Sequence, residues 1–141
     1  MKVNLIPRFL AVAAAVGGCW HLALANAPAL PAAQHMGAVT YLSGGVGLDE
    51  SQAIKDAMPN YRLVLEFAGK SAYGNEYLAG VPVKITDGHG KSMLETSANG
   101  PFMLVTLPPG HYTIAASYNN KTERRSVQVS PDGQVREFFL W

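Results

Sequence analysis

From Tyr61 onward the chain alternates apolar and polar side chains with a period of two. Tyr61, Leu63, Leu65 and Phe67 share one parity, while Arg62 and Glu66 take the other. Val81, Val83 and Ile85 alternate with Pro82, Lys84 and Thr86. Tyr112, Ile114, Ala116 and Tyr118 alternate with His111, Thr113 and Ser117, and Val127 and Val129 with Ser126, Gln128 and Ser130. Successive side chains leave opposite faces of a pleated strand, so this pattern marks strands with one dry and one wet face. Shorter runs at 92–97, 102–107 and 135–141 bring the expected total to about seven strands. The last two are apolar at both parities, so their inward side is not readable.

Turn chemistry agrees with this reading. Asp87-Gly88-His89-Gly90 and Asn119-Asn120 have the form of hairpin turns, and Asn99-Gly100-Pro101, Pro108-Pro109-Gly110 and Pro131-Asp132-Gly133 are further breaks. Breaks about every ten residues, with no helix between strands, predict an all-β, antiparallel β-sandwich. Pro82 lacks a ladder donor, so its strand is expected at an edge or to begin there. At 141 residues the chain has room for one such domain. The single cysteine makes no internal disulfide, which leaves the fold to its core and its backbone ladders.

One short helix is predicted before the first main strand, over 49–58. Asp49 would cap it with Gln52 three residues on, Ala53, Ile54, Ala57 and Met58 would share a face, and Pro59 would stop it. Ten residues do not hold a helix alone in water, so its apolar face must rest on something larger. Residues 28–42, rich in Ala and Pro, carry neither period and read as a flexible lead. The Gly-rich loop and the helix fill 43–59, and 60–141 is the sandwich.

The N-terminus reads as an address. Lys2 and Arg8 precede an unbroken apolar run from Phe9 to Val16, and no further Lys, Arg, Asp or Glu appears before Asp49. The run leads to small-residue exits at Ala25 and Ala27, the pattern of a secretory signal peptide over 1–27. A periplasmic or secreted protein follows, with no stable membrane span after cleavage. The alternative is a lipoprotein, since Val16-Gly17-Gly18-Cys19 resembles a lipobox and would anchor the chain through Cys19. Cleavage after Ala27 leaves 9 basic against 10 acidic groups, a net charge of −1, from 11 and 10 in the full chain. So balanced a charge gives no footprint for nucleic acid, and the 48% hydrophobic content argues against disorder.

The stretch from Leu107 to Ile114, Leu-Pro-Pro-Gly-His-Tyr-Thr-Ile, followed by Ala116 and Tyr118, resembles the signature of carboxypeptidase regulatory-like domains. Ala79-Gly80-Val81-Pro82-Val83-Lys84-Ile85 with Asp87 and Gly90 is similar to the family's opening strand and hairpin. Asn99-Gly100 and Phe102 resemble the turn and strand before the Pro-Pro-Gly corner. The similarity covers roughly residues 60–130. It implies a transthyretin-like, seven-stranded Greek-key sandwich that serves as an accessory or binding module, with structural rather than catalytic roles for these positions. A transthyretin-like hydrolase, hydroxyisourate hydrolase, has a C-terminus resembling Tyr-Arg-Gly-Ser, whereas this chain ends Phe138-Phe139-Leu140-Trp141.

Motifs for chemistry are sparse. No Gly-x-Ser-x-Gly elbow or zinc-protease His pair is present, so the reading is a non-enzymatic protein with no cofactor that binds a protein or cell-envelope component. The segment to examine first is Ser43, Gly44, Gly45 and Gly47 with Asp49 and Glu50. A Gly-rich turn at a helix N-terminus offers amides to an anion. It lacks the Lys-Ser/Thr of a nucleotide loop, however, and the two acids oppose a phosphate. The alternative function is periplasmic copper handling through His35, Met36, His89 and His111, with Met93 or Met103 as thioether donors. A small hydrolase comes third.

Overall fold

The computed structural model describes residues 29–141. The signal-peptide reading of 1–27, the Cys19 alternative and both cleavage sites lie outside the described residues. Among the described residues there are ten strands: β1 (Gln34–Met36), β2 (Val39–Gly44), β3 (Leu63–Ser71), β4 (Gly74–Tyr77), β5 (Val81–Asp87), β6 (Ser92–Ala98), β7 (Phe102–Thr106), β8 (Gly110–Tyr118), β9 (Lys121–Val129) and β10 (Val135–Leu140). One α-helix, α1 (Leu48–Ala57), runs into a 3-10 turn at Met58–Asn60. The strands form two sheets. The larger has the order β1-β2-β7-β3-β10 with β4 extending β3, and the smaller has the order β6-β5-β8-β9.

The smaller sheet has one dry face, as alternation requires. Val81, Val83 and Ile85 of β5, Tyr112, Ile114 and Ala116 of β8, and Val127 and Val129 of β9 are buried, with their polar neighbours outside. They meet Val39, Tyr41, Leu63, Leu65, Phe67, Met103, Val105 and Phe139 of the larger sheet in one core. β5 is not an edge strand; Pro82 stands second in it, one residue before pairing with β8 begins at Val83.

At its centre, where β2, β7 and β3 lie side by side, the larger sheet is dry on both faces. Leu42, Val64, Phe102 and Leu104 point away from the sandwich and are covered by Ile54 and Met58, with Ala57 and Tyr61 alongside. This second core explains why 102–107 is apolar at both parities: Met103 and Val105 face the sandwich, while Phe102 and Leu104 face the helix. The predicted apolar stripe of α1 is the one that seats it.

Four expectations need correction. Ten strands are present rather than seven; the seven predicted ones are β3 and β5–β10, and β1, β2 and β4 are additional. The lead at 28–42 is not flexible throughout, because 34–36 and 39–44 pair with each other and β2 pairs in register with β7. Val39, Tyr41 and Leu42 are drawn into the two cores, and Gly37 makes the intervening turn at φ 58°. The sheet is not purely antiparallel, since β10 runs parallel to β3. Gln134 fixes that direction: its side-chain amide donates to Met58 O at 2.7 Å and Tyr61 O at 2.8 Å, so β10 starts beside the entry to β3. Finally, α1 begins at Leu48 with Gly47 as its N-cap residue and no side-chain cap; Gln52 donates to Asp56 at 2.9 Å instead of completing a capping box.

The Pro-Pro-Gly corner is built as a plug and a tie. Leu107 is buried, and the Tyr112 hydroxyl donates to Pro108 O at 2.6 Å, closing the corner across four residues. Burial first, and the charge of Asp87 second, raise the Tyr112 hydroxyl above its ordinary value.

Candidate functional site

The Gly-rich segment leaves β2 at the point where β7 begins. Gly100 packs its backbone so closely on Gly44 that a side-chain carbon at Gly100 would collide with the Gly44 carbonyl. Gly45, at φ 101°, lies flat on the Phe102 ring, where a side chain would meet Cδ2. Ser43 is buried, and its hydroxyl accepts the Asn99 N–H at 2.9 Å. Glycine is therefore demanded by close approach at Gly44 and Gly100, and by both approach and conformation at Gly45.

The anion on this loop is the protein's own. Glu50 folds back from the first turn of α1, and its carboxylate accepts the Gly45 N–H at 2.8 Å. The same oxygen stands where a side chain on Gly44 would project. Asp49 is exposed beside it, and both acids sit in the first helical turn, where they complement the helix dipole. Of the six residues singled out in sequence, Ser43, Gly44, Gly45 and Glu50 thus form one locked unit, Gly47 starts the helix at φ 89°, and Asp49 faces solvent.

What the locked loop presents is apolar. Val46 is 63% exposed and Leu48 87% exposed, on either side of Gly47. The Phe102 ring under Gly45 also carries Tyr77 of β4, 59% exposed and tilted against it at a centroid distance of 5.5 Å. Lys55 reaches over the same ring at 5.8 Å. Partial burial and then the Glu66 carboxylate raise the Tyr77 hydroxyl above its ordinary value. Sequence reasoning found the loop but not Val46, Leu48 or Tyr77, because an apolar residue carries no mark of facing outward.

The histidines do not come together in one place. His35 and Met36 lie on β1 at the rim of the larger sheet, with His35 Nδ1 3.0 Å from Thr40 Oγ1. His89 and His111 belong to the smaller sheet and share one end of it, since Gly88 lies against His111. Met103 is fully buried in the sandwich core. Among the described residues no group of three or more His, Cys, Asp or Glu is placed to hold a metal.

The turn carrying His89 is organised by Asp87, whose Oδ1 accepts the His89 and Lys91 N–H groups, each at 2.9 Å. The Lys91 amide bond is the main cause holding this carboxyl below its usual value; the His89 amide and the charges of His89 and Lys91 add to it, against a smaller desolvation effect. A depressed folded-state value stabilises the fold above the unfolded carboxyl pKa of about 3.9, and that contribution is lost as pH falls through the folded value. Urea denaturation from pH 6 to pH 2 should therefore show Asp87→Asn losing stability less steeply below about pH 4 than the parent chain. Parallel curves would exclude this linkage.

No protein-family model matches the chain, and no curated protein matches it either. Among the described residues no helix is long and apolar enough to cross a membrane.

Proposed function

We propose that the chain is an exported, non-enzymatic binding module of the carboxypeptidase regulatory-like kind, acting in the periplasm or outside the cell, and that the loop at 45–48 holds its partner. The observation that carries this reading is the pairing of a rigid backbone with exposed apolar side chains. Gly45 is pinned by Glu50 and Phe102, Ser43 by Asn99, and the loop then displays Val46 and Leu48 to solvent. An apolar anchor on a pre-ordered loop loses little entropy on binding, which is the economy that interface hot spots use. Tyr77 widens the contact with an aromatic ring, and Asp49 gives it an acidic rim. A protein or cell-envelope component with an apolar recess and a basic margin fits this chemistry.

The family reading is supported by the seven strands foreseen in sequence, which stack as β7-β3-β10 over β6-β5-β8-β9. The Greek-key connection that the family implies would run through β5 to β8, although the strand of the larger sheet that β6 meets across the layers is β2 rather than β7.

A photoreactive residue at Leu48, introduced in the producing cells, is expected to trap one defined partner, whereas the same residue at Gln128 on the outer face of the smaller sheet is not. Val46→Asp should cut the Leu48 adduct about tenfold, equivalent to ~1.4 kcal/mol of binding, and leave the melting temperature unchanged within a degree or two because Val46 is exposed. Adducts that form equally at both positions, or that ignore Val46→Asp, would rule the loop out.

A further inference from the structure

Among the described residues the larger sheet ends in β10, and its backbone there is arranged for another strand. Val135 N–H donates to Arg62 O at 2.8 Å and Trp141 N–H to Ala68 O at 3.1 Å, so the odd-numbered residues bond to β3. The amides and carbonyls of Arg136, Phe138 and Leu140 face the open edge. Such an edge is a template for pairing unless it is blunted. The other edges among the described residues are blunted: β1 and β4 are three and four residues long, β6 has exposed Glu95 at its centre, and β9 carries Lys121, Glu123, Arg124 and Arg125. β10 carries two charges, but Glu137 pairs inward with Arg125 at 3.7 Å and the Arg136 guanidinium folds back to Gln134 Oε1 at 3.1 Å and Met58 Sδ at 3.4 Å; its second half, Phe138-Phe139-Leu140, has neither charge nor proline, and Phe138 is 43% exposed.

We propose that a second copy of this chain covers this edge, with β10 pairing antiparallel to its equivalent about a twofold axis at Phe138. Two central registers place the outward-facing groups opposite one another. The register centred on Glu137 sets two carboxylates directly against each other and is disfavoured. The register centred on Phe138 sets Phe138 against Phe138, Arg136 against Leu140 and Glu137 against Phe139, opposing no like charges. About six backbone hydrogen bonds join the copies in this register. A net charge of +1 for the full chain, or −1 after the expected cleavage, sets no long-range repulsion against it. The interface is self-complementary, as a twofold axis requires.

Sedimentation equilibrium of the chain as its host produces it, from ~1 µM to ~1 mM, is expected to show a monomer becoming a dimer. The Arg136, Phe138 and Leu140 amides should gain protection from hydrogen exchange as concentration rises. Phe138→Lys, which opposes two ammonium groups at the axis, and Phe138→Pro, which deletes an N–H that β3 does not use, should each weaken the dimer at least about tenfold. Monomer mass across the whole range overturns the proposal. So does a dimer that survives both variants, or amide protection on β10 that does not change with concentration. The wild-type exchange data stand even where a variant fails to fold. The β10 edge is separated from the 45–48 loop by β3 and β7, so self-association and partner capture succeed or fail independently.

Discussion

Replacing Phe139 with alanine is expected to remove about 3–5 kcal/mol of stability and to lower the melting temperature by about 10–20 °C. Phe139 is the inward anchor of the parallel strand β10. It is fully buried, stacks on Phe67 at 5.7 Å and on Trp141 at 6.0 Å, and carries the Arg125 guanidinium over its ring at 5.1 Å. Trp141 extends the cluster to Tyr118 at 5.9 Å, and its indole N–H donates to Lys121 O at 3.0 Å, so the stack ties the two sheets together at this end. A domain of this size has about 5–15 kcal/mol in total, which makes the loss a large share. Urea denaturation measures it. A cost below about 1.5 kcal/mol would mean that β10 contributes little to the core.

Ile54→Ala is expected to cost about 2–5 kcal/mol, and the whole of it would come from outside the sandwich interior. Ile54 is the fully buried residue of α1 and faces Leu42, Val64, Phe102 and Leu104 together with Met58. The helix cannot persist without that contact, so the variant should also free the Glu50–Gly45 bond and loosen the loop. Leu48→Ala, six residues earlier on the same helix but 87% exposed, should stay within about 0.5 kcal/mol of the parent. Equal costs for the two variants would contradict the second core.

The smaller sheet was legible because each strand keeps a wet face; β5, β8 and β9 show their alternation almost without error. The larger sheet was legible only in part, for a physical reason. Covered by the sandwich on one side and by α1 on the other, β2 and β7 lose the polar parity that would have set their facing, while β10 carries Phe138 outward with no helix over it. β2 was masked further by the Ala/Pro stretch before it, while β4 is exposed along its whole length and has Tyr77 as its single large apolar side chain, too few to show a period. The helix was foreseen from Ile54 and Met58, but its start was not: Gly47 takes the cap position, and the carboxylate that matters is Glu50, which turns backward to Gly45 rather than capping forward as Asp49 was expected to do. At the candidate site the glycines announced a special backbone. They did not announce that its amide is already taken by a carboxylate, nor that Val46 and Leu48 stand outside.

The account rests on β2, the Gly-rich loop and α1 being part of one cooperative body rather than a lead attached to a sandwich. Amide hydrogen exchange at single-residue resolution tests this most directly. The account requires the amides of Leu42, Gly45 and Met58 to open with free energies close to those of Phe67 and Ile114, and to fall together with them in Ile54→Ala. Rapid exchange over 39–58 while β3 and β8 stay protected would contradict it.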